Sequence, residues 1–518
     1  MLLIKLNSFI KPNKKYILFS FICFTLILII WWLVIAPFSF NYADGGYLWT
    51  GAWLTSLGEI PKLHFKGYDL FRYYWLSVFL YCLGNHWYSV LWGALLSALI
   101  PITILALLAF KPYFNKFSKI DVMLFLLFIL LESFWLFPAH KLFEHGISVL
   151  LILITAKFIS SPSLKNYFYF GLFLAFAAMV GRNHLVYSGF CFILTMLLIN
   201  EYKELTKEKA SLLFLGFFIG YLPQLYLFVF VDDYFTTYLN RSVLDVINRD
   251  GLNLKKTMIP VWSSVLWSGN KSIVNNSLLL LSLLQSFILL VSAVAIAMLI
   301  KARKNISQIQ HHHYLYASIV VLIPYLHHAF SRADLSHLSQ SIQPIIFFLF
   351  LLFFLSRKIG VMMLFCFSLL SLLVWNNSYL FFIENRMPKV LKVLKFNNEK
   401  VKTINKIKGL VDKVNQWVLL AKKQKRVIDF LPDIPVFYAI NRIKPNLYNT
   451  FVLRNQKKQY QLEEIKRLEN SDFIVLGRGI YNKKNDFNAT NPLIYKYIET
   501  NYCVQDVFNN YQLYGKCQ

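Results

Sequence analysis

Asp44 lies among aromatic residues, Tyr42, Tyr47 and Trp49, just beyond the first long apolar run of the chain. A carboxylate held there can take a proton from an approaching hydroxyl; its plain alternative is a residue that caps a helix. Glu144 and His145 open the fourth apolar run, beside His140 and Lys141. Glu144 is suited to orienting a second reactant, against the alternative of a carboxylate placed by the helix dipole. Arg182 and His184 separate two apolar runs, where a guanidinium can grip an anion with two parallel hydrogen bonds or simply reach for lipid headgroups. Arg332, Asp334 and His337 form a third group, with Asp334 and His337 one helical turn apart and an internal Arg–Asp pair as the alternative. Lys66 and Arg72 are the cations nearest in sequence to Asp44 and are candidate contacts to an anionic substrate. A base plus several cations is what transfer away from an anionic leaving group requires.

These residues must be positioned by elements of an unusual composition. The 518 residues are 57% hydrophobic and only 15% charged, against about 25% charged in ordinary soluble domains. The apolar residues fall in blocks of about 20, the length that spans a hydrocarbon core. Spans are expected near 17–38, 87–110, 121–137, 146–159, 167–180, 185–199, 211–231, 277–300, 314–330, 342–356 and 359–383. The first is too long for a cleaved leader and lacks a small-residue cleavage site, so it is read as an uncleaved helix. Segment 71–84 is short and opens with Arg72, Tyr73, Tyr74 and Trp75. Reading it as interfacial leaves the basic loops around Lys111, Lys157, Arg303 and Arg357 on the inside, as the positive-inside rule requires. The expectation is therefore an α-helical polytopic membrane protein of about eleven spans, amino terminus in the cytoplasm. Its external face collects the 39–86 and 232–276 loops and every candidate residue above.

Composition changes near residue 384, dividing the chain into a membrane module, 1–383, and a small extracytoplasmic α/β domain, 384–518. In the latter, 436–439 and 473–476 read as strands, 460–468 and 491–501 as helices. The lysine-rich stretch 389–425 has apolar residues at helical spacing and reads as a basic helix on the membrane surface. Cys503 and Cys517 flank a turn-like Asn509-Asn510 pair, so a disulfide across a terminal hairpin is expected. The net charge is +27, and the tail holds 25 Lys and Arg against 12 Asp and Glu. In a membrane protein this charge points to anionic lipid headgroups and phosphate-bearing substrates, and no nucleic-acid partner is expected. No Gly-rich phosphate loop, Cys-x-x-Cys, His-Glu-x-x-His or nucleophile elbow occurs. His140, Glu144 and His145 supply three zinc-type ligands without a fourth, so the sequence supports no divalent metal or other cofactor.

The run Asp44, Gly45, Gly46, Tyr47, then Ala52-Trp53, Gly58-Glu59-Ile60-Pro61 and Arg72 to Trp75, resembles the first extracytoplasmic loop of GT-C fold glycosyltransferases. These include bacterial relatives of the protein O-mannosyltransferases, the lipid A aminoarabinose transferases and the rhizobial galacturonic-acid transferases. The resemblance covers the membrane half broadly. It departs where Gly45 follows Asp44, since several of these families carry an Asp-Glu pair there. It implies sugar transfer from a polyprenyl-phosphate donor to a hydroxyl of a lipid, glycan or protein acceptor, outside a bacterial inner membrane. Asp44 would be the base, Glu144 a second acidic residue, and Lys66, Arg72, His145, Arg182, His184, Arg332, Asp334 and His337 substrate contacts. Two other functions compete. A lipid-linked oligosaccharide polymerase or ligase would use the later loop with Arg241, Arg249, Lys255 and Lys256. A lipid-carrier transporter would show internal repeats, and none is visible.

Overall fold

A computed structural model describes residues 14–36, 44–67, 69–116, 119–244, 273–331, 335–390, 393–396, 399–402, 405–432, 434–450, 456–478 and 486–517. The chain is mostly helical and divides into two compact units. One comprises residues 1–36, 94–225 and 249–382; the other comprises 37–93, 226–248 and 383–518.

Uninterrupted Leu, Ile and Phe runs dictate the helices of the first unit. Among the described residues four helices are long and apolar enough to cross a membrane: Trp87–Tyr113, Ala139–Ser160, Leu279–Ala302 and Arg357–Trp375. A fifth is added if Lys207–Gly220 and Leu222–Phe230, bent by 59° at Tyr221, form one span. Ile342–Leu355 lies at the centre of its unit, since every residue from 342 to 353 is buried, as expected for a helix apolar on all sides. It packs against Lys119–Trp135, Leu142–Ser160 and His313–Ser331. Outer helices instead present large apolar side chains outward, among them Phe214, Ile300 and Phe365. Leu164–Val180 and Lys207–Gly220 meet through glycines. A Cβ on Gly171 would stand 2.0 Å from the Leu213 carbonyl oxygen, and one on Gly216 would stand 2.1 Å from that of Phe168. Small residues let such backbones touch.

The second unit joins the segment after the first apolar run to the tail. Its sheet runs in the order Ile428–Leu431, Phe473–Gly477, Tyr511–Lys516, Tyr502–Phe508, the first pair parallel and the others antiparallel. Asn509, at φ 52°, turns the last hairpin, a conformation Asn tolerates better than most residues. Cys503 and Cys517 are bonded across this hairpin. Leu431, Leu468, Ile474, Ile494, Ile498 and Tyr514 form the core beneath the sheet. The expected helices appear as Lys458–Leu468 and Pro492–Asn501.

Two expectations for the tail are corrected. Residues 436–439 are not a strand but part of the helix Val436–Asn441, all six of whose residues are buried. A short run buried on every side shows no period by which strand and helix can be told apart. The described helix within 389–425 is Asn405–Lys423, preceded by short paired strands Val393–Phe396 and Glu399–Lys402. Its apolar stripe (Leu410, Val414, Trp417, Val418, Ala421) is buried, and Trp417 Nε1 donates to Asp506 at 2.9 Å. The stripe is thus spent inside the domain, not on a lipid surface.

Candidate functional site

In the first unit the helix Lys119–Trp135 gives way to a short turn, then to Ala139–Lys141 and Leu142–Ser160. Gly146 lets this last helix press against its neighbour, because a Cβ there would stand 2.1 Å from the Ser97 carbonyl oxygen. The contact fixes the first turn, which carries Glu144 and His145. Both are buried, and Lys141 Nζ stands 3.6 Å from Glu144 Oε1. His145 Nε2 lies 3.3 Å from the Phe137 carbonyl, and its Nδ1 lies 3.4 Å from Gln343 Nε2.

Two His–Tyr pairs join the next helices. His184 Nδ1 is hydrogen-bonded to Tyr325 OH at 2.9 Å, and Tyr187 OH to His327 Nδ1 at 2.8 Å. The His328 ring lies 6.3 Å from that of His184 and 5.3 Å from that of Tyr187. Glu144 is within electrostatic reach of Tyr325 and His328, and Lys141 of His328. The candidates Glu144, His145 and His184 are therefore brought into one polar cluster, and Arg182 is exposed at the start of the same helix as His184. The amino-terminal ends of Leu142–Ser160, Arg182–Leu198 and Ile342–Leu355 contribute to it. Each such end carries a partial positive charge and favours an anion. The cluster can hold negative charge and move protons among imidazole, phenol and carboxyl groups.

Sequence reasoning missed Glu132, Tyr187, Tyr325, His327, His328 and Gln343. Glu132 carried a readable signal, since a carboxyl inside an apolar span is costly and seldom idle. The His–Tyr pairs carried none, as their members stand 140 and 141 residues apart.

In the second unit Asp44 occupies the first turn of the helix Asp44–Ser56, half-buried, with Tyr47 and Trp49 buried behind it. The amino-terminal dipole favours a carboxylate there, which suits a cap and a base equally. A Cβ on Gly46 would stand 2.5 Å from Val436 Cβ, so this helix lies directly on the tail helix. Thr50 Oγ1 donates to the Pro435 carbonyl at 2.6 Å. Asn85 accepts from Trp49 Nε1 at 2.8 Å and donates to the Ala439 carbonyl at 2.9 Å. Lys66 serves as a stitch through its backbone: its N–H donates to the Tyr448 carbonyl at 2.7 Å, and its carbonyl accepts from Tyr47 OH. Arg72 is buried on the helix Leu70–Leu83. Burial, together with the Arg442 guanidinium, holds the His86 imidazole below its ordinary value.

Of the other candidates, His337 is half-buried in Leu335–Ser339. Arg332 and Asp334 lie outside the described residues, as do Arg249, Lys255 and Lys256. Arg241 pairs with Glu463 and stacks 4.1 Å from the Tyr448 ring centre. Among the described residues no three His, Cys, Asp or Glu side chains are grouped to hold a metal ion. Comparison with protein-family models, curated proteins and solved structures finds no match to this chain.

Proposed function

We propose that this chain is a GT-C-like membrane glycosyltransferase. It moves a sugar from a polyprenyl-phosphate carrier to an acceptor hydroxyl at the outer face of a bacterial inner membrane. The observation that carries this reading is the cluster of Lys141–Glu144, His184–Tyr325 and Tyr187–His327, which gathers the amino-terminal ends of two helices against the last turns of His313–Ser331. A departing phosphate needs no proton from a general acid, only groups that stabilise its growing charge. Amino-terminal helix ends and a lysine do that. In the step, the acceptor oxygen bonds to the anomeric carbon as the bond from that carbon to the phosphate oxygen breaks. The acceptor proton passes to a carboxylate base, for which the sequence resemblance points to Asp44, and the carrier leaves as a phosphate.

The proposed architecture keeps about eleven spans, adding Phe21–Ile35, Leu164–Val180, Ile342–Leu355, Lys119–Trp135, Arg182–Leu198 and His313–Ser331 to the four long helices and the bent pair. Local thinning of the bilayer accommodates short spans at modest cost. In this reading the amino terminus is cytoplasmic and the tail domain periplasmic. The rival use of the 232–276 loop in a polymerase or ligase loses support at Arg241, which is engaged by Glu463 and Tyr448.

The test is transfer by the purified full chain in nanodiscs, offered a panel of polyprenyl-phosphate sugars and hydroxyl acceptors. Asp44→Asn should lower turnover about 10²–10⁴-fold, the usual worth of a positioned base. A normally folded Asp44→Asn protein with wild-type turnover would remove Asp44 as the base. Carrier movement across a liposome without glycosidic product would instead support a transporter.

A further inference from the structure

Glu132 is completely buried one turn from the end of Lys119–Trp135. Neither of its carboxyl oxygens completes a hydrogen bond, and nor does Gln343 Oε1. The Gln343 amide is nevertheless the polar group that acts on the carboxyl. The same amide reaches His145 Nδ1 at 3.4 Å on its other side, and His145 Nε2 faces the Phe137 carbonyl at 3.3 Å. Glu132, Gln343 and His145 thus form a buried row on three elements, ending beside Glu144.

Counting donors and acceptors gives this row two complete bonding patterns. In the first, a neutral Glu132 O–H donates to Gln343 Oε1, Gln343 Nε2–H donates to His145 Nδ1, and His145 Nε2–H donates to the Phe137 carbonyl. In the second, the amide has turned through half a rotation. Its Nε2–H now donates to a Glu132 carboxylate, while its Oε1 accepts from the Nδ1–H of an imidazolium. The heavy atoms keep the same places, because the oxygen and nitrogen of an amide exchange positions on such a turn. One proton has left the Glu132 oxygen and one has appeared on His145 Nδ1. The row is electrically neutral both times, so no uncompensated charge is buried.

We propose that Glu132 and His145 share a single proton across the Gln343 amide, and that a phosphate group docking at the polar cluster draws this proton onto His145. The inference rests on the reading of the cluster as a phosphate site. It assigns that site a cation that exists only while the anion is bound. Glu144 is adjacent in the same helical turn, with Lys141 Nζ 3.6 Å from its carboxyl. From the neighbouring helices His184, Tyr325 and His328 face the same cluster. Glu132 is accordingly a positioning residue for His145.

Infrared difference spectra of the full chain in nanodiscs, with and without a short-chain polyprenyl phosphate, test this, with phosphate affinity measured on the same samples. The wild type should lose a protonated-carboxyl band and gain a carboxylate band when phosphate is added. Glu132→Gln should show neither change and bind phosphate about tenfold more weakly, a coupling typical of linked sites. Gln343→Met cuts the row while nearly keeping its volume, so its carboxyl band should persist and no longer respond. Should Glu132→Gln fail to fold, Gln343→Met alone decides. Wild-type binding without any carboxyl change, or the same change in Glu132→Gln, overturns the shared proton and leaves the phosphate site standing. Absence of binding in the wild type overturns the phosphate reading and the inference together.

Discussion

Gly51 and Tyr73 offer a test of how firmly the Asp44 helix is seated. A Cβ on Gly51 would stand 2.2 Å from Tyr73 Cε1, and one on Gly67 would stand 2.9 Å from Cε2 of the same ring. The ring is fully buried and packs edge-on to Phe65 at 5.5 Å. It is therefore clamped between two glycines and cannot yield. Replacing a mid-helix glycine by alanine ordinarily stabilises by about 0.5–1 kcal/mol. Here the clash reverses the sign, since forcing an extra methyl into a closed site costs about 1–3 kcal/mol. The net expectation for Gly51→Ala is a loss of about 0–2.5 kcal/mol after the helix gain is subtracted. Tyr73→Leu alone loses ring contacts and costs about 2–4 kcal/mol. The double variant has room for the methyl and should be better than additive by the relieved clash, about 1–3 kcal/mol. Unfolding of a membrane protein is seldom reversible, so the assay is the midpoint of heat-induced loss of the monodisperse peak in detergent, for all four members of the cycle. A raised midpoint for Gly51→Ala, or a strictly additive double variant, would show that the helix is not seated on that ring.

Three further outcomes follow from single residues. Asp429, completely buried, accepts from Tyr438 OH at 2.8 Å, Asn446 Nδ2 at 2.9 Å and Ser471 Oγ at 2.5 Å. Asp429→Ala strands these neutral donors, each at a cost to the tail of about 1–3 kcal/mol where it stays unsatisfied, seen as faster hydrogen exchange in Ile428–Leu431 and Phe473–Gly477. The Lys413 ammonium and the Trp417 indole hold Asp506 below the usual carboxylate range. Its contribution is therefore complete above the ordinary Asp value of about 3.9 and disappears as pH falls through the lowered folded value. Exchange protection of the last hairpin should show that acid-side loss, under about 1 kcal/mol at so open a site, and Asp506→Asn should abolish the pH dependence. Gly146→Val drives a side chain into the Ser97 carbonyl, displaces the turn bearing Glu144 and His145, and should weaken polyprenyl-phosphate binding at least tenfold by isothermal titration, since about 1 Å of misplacement can cost 10²-fold.

What the sequence disclosed depended on whether a residue's neighbours were local. Long apolar runs announced the helices Trp87–Phe110 and Ile273–Ala302 because each satisfies its own backbone and needs only length. Glu144 and His184 stood out as polar residues at the ends of such runs, and the structure brings both to one cluster. Tyr325, His327 and His328 escaped notice because they sit within an apolar run and find their partners on another helix. Glu132 was visible in principle, a lone carboxyl in a greasy segment, yet its link to His145 runs through Gln343, about 200 residues away. The helix Val436–Asn441 was misread because its whole surface is covered, leaving no polar face to set a period. The joining of 37–93 to the tail in one unit was equally hidden, since complementary surfaces leave no mark in either segment alone.

That joining has a consequence for biosynthesis. Thr50 leaves the ribosome 385 residues ahead of the Pro435 carbonyl that receives its hydroxyl, and Lys62 386 residues ahead of Tyr448. Throughout that interval Gly46 of the Asp44 helix lacks Val436, the residue it closes against. This part of the seam closes only when translation is nearly over. Quality control that samples residues 44–93 would in effect be reading whether the tail has arrived.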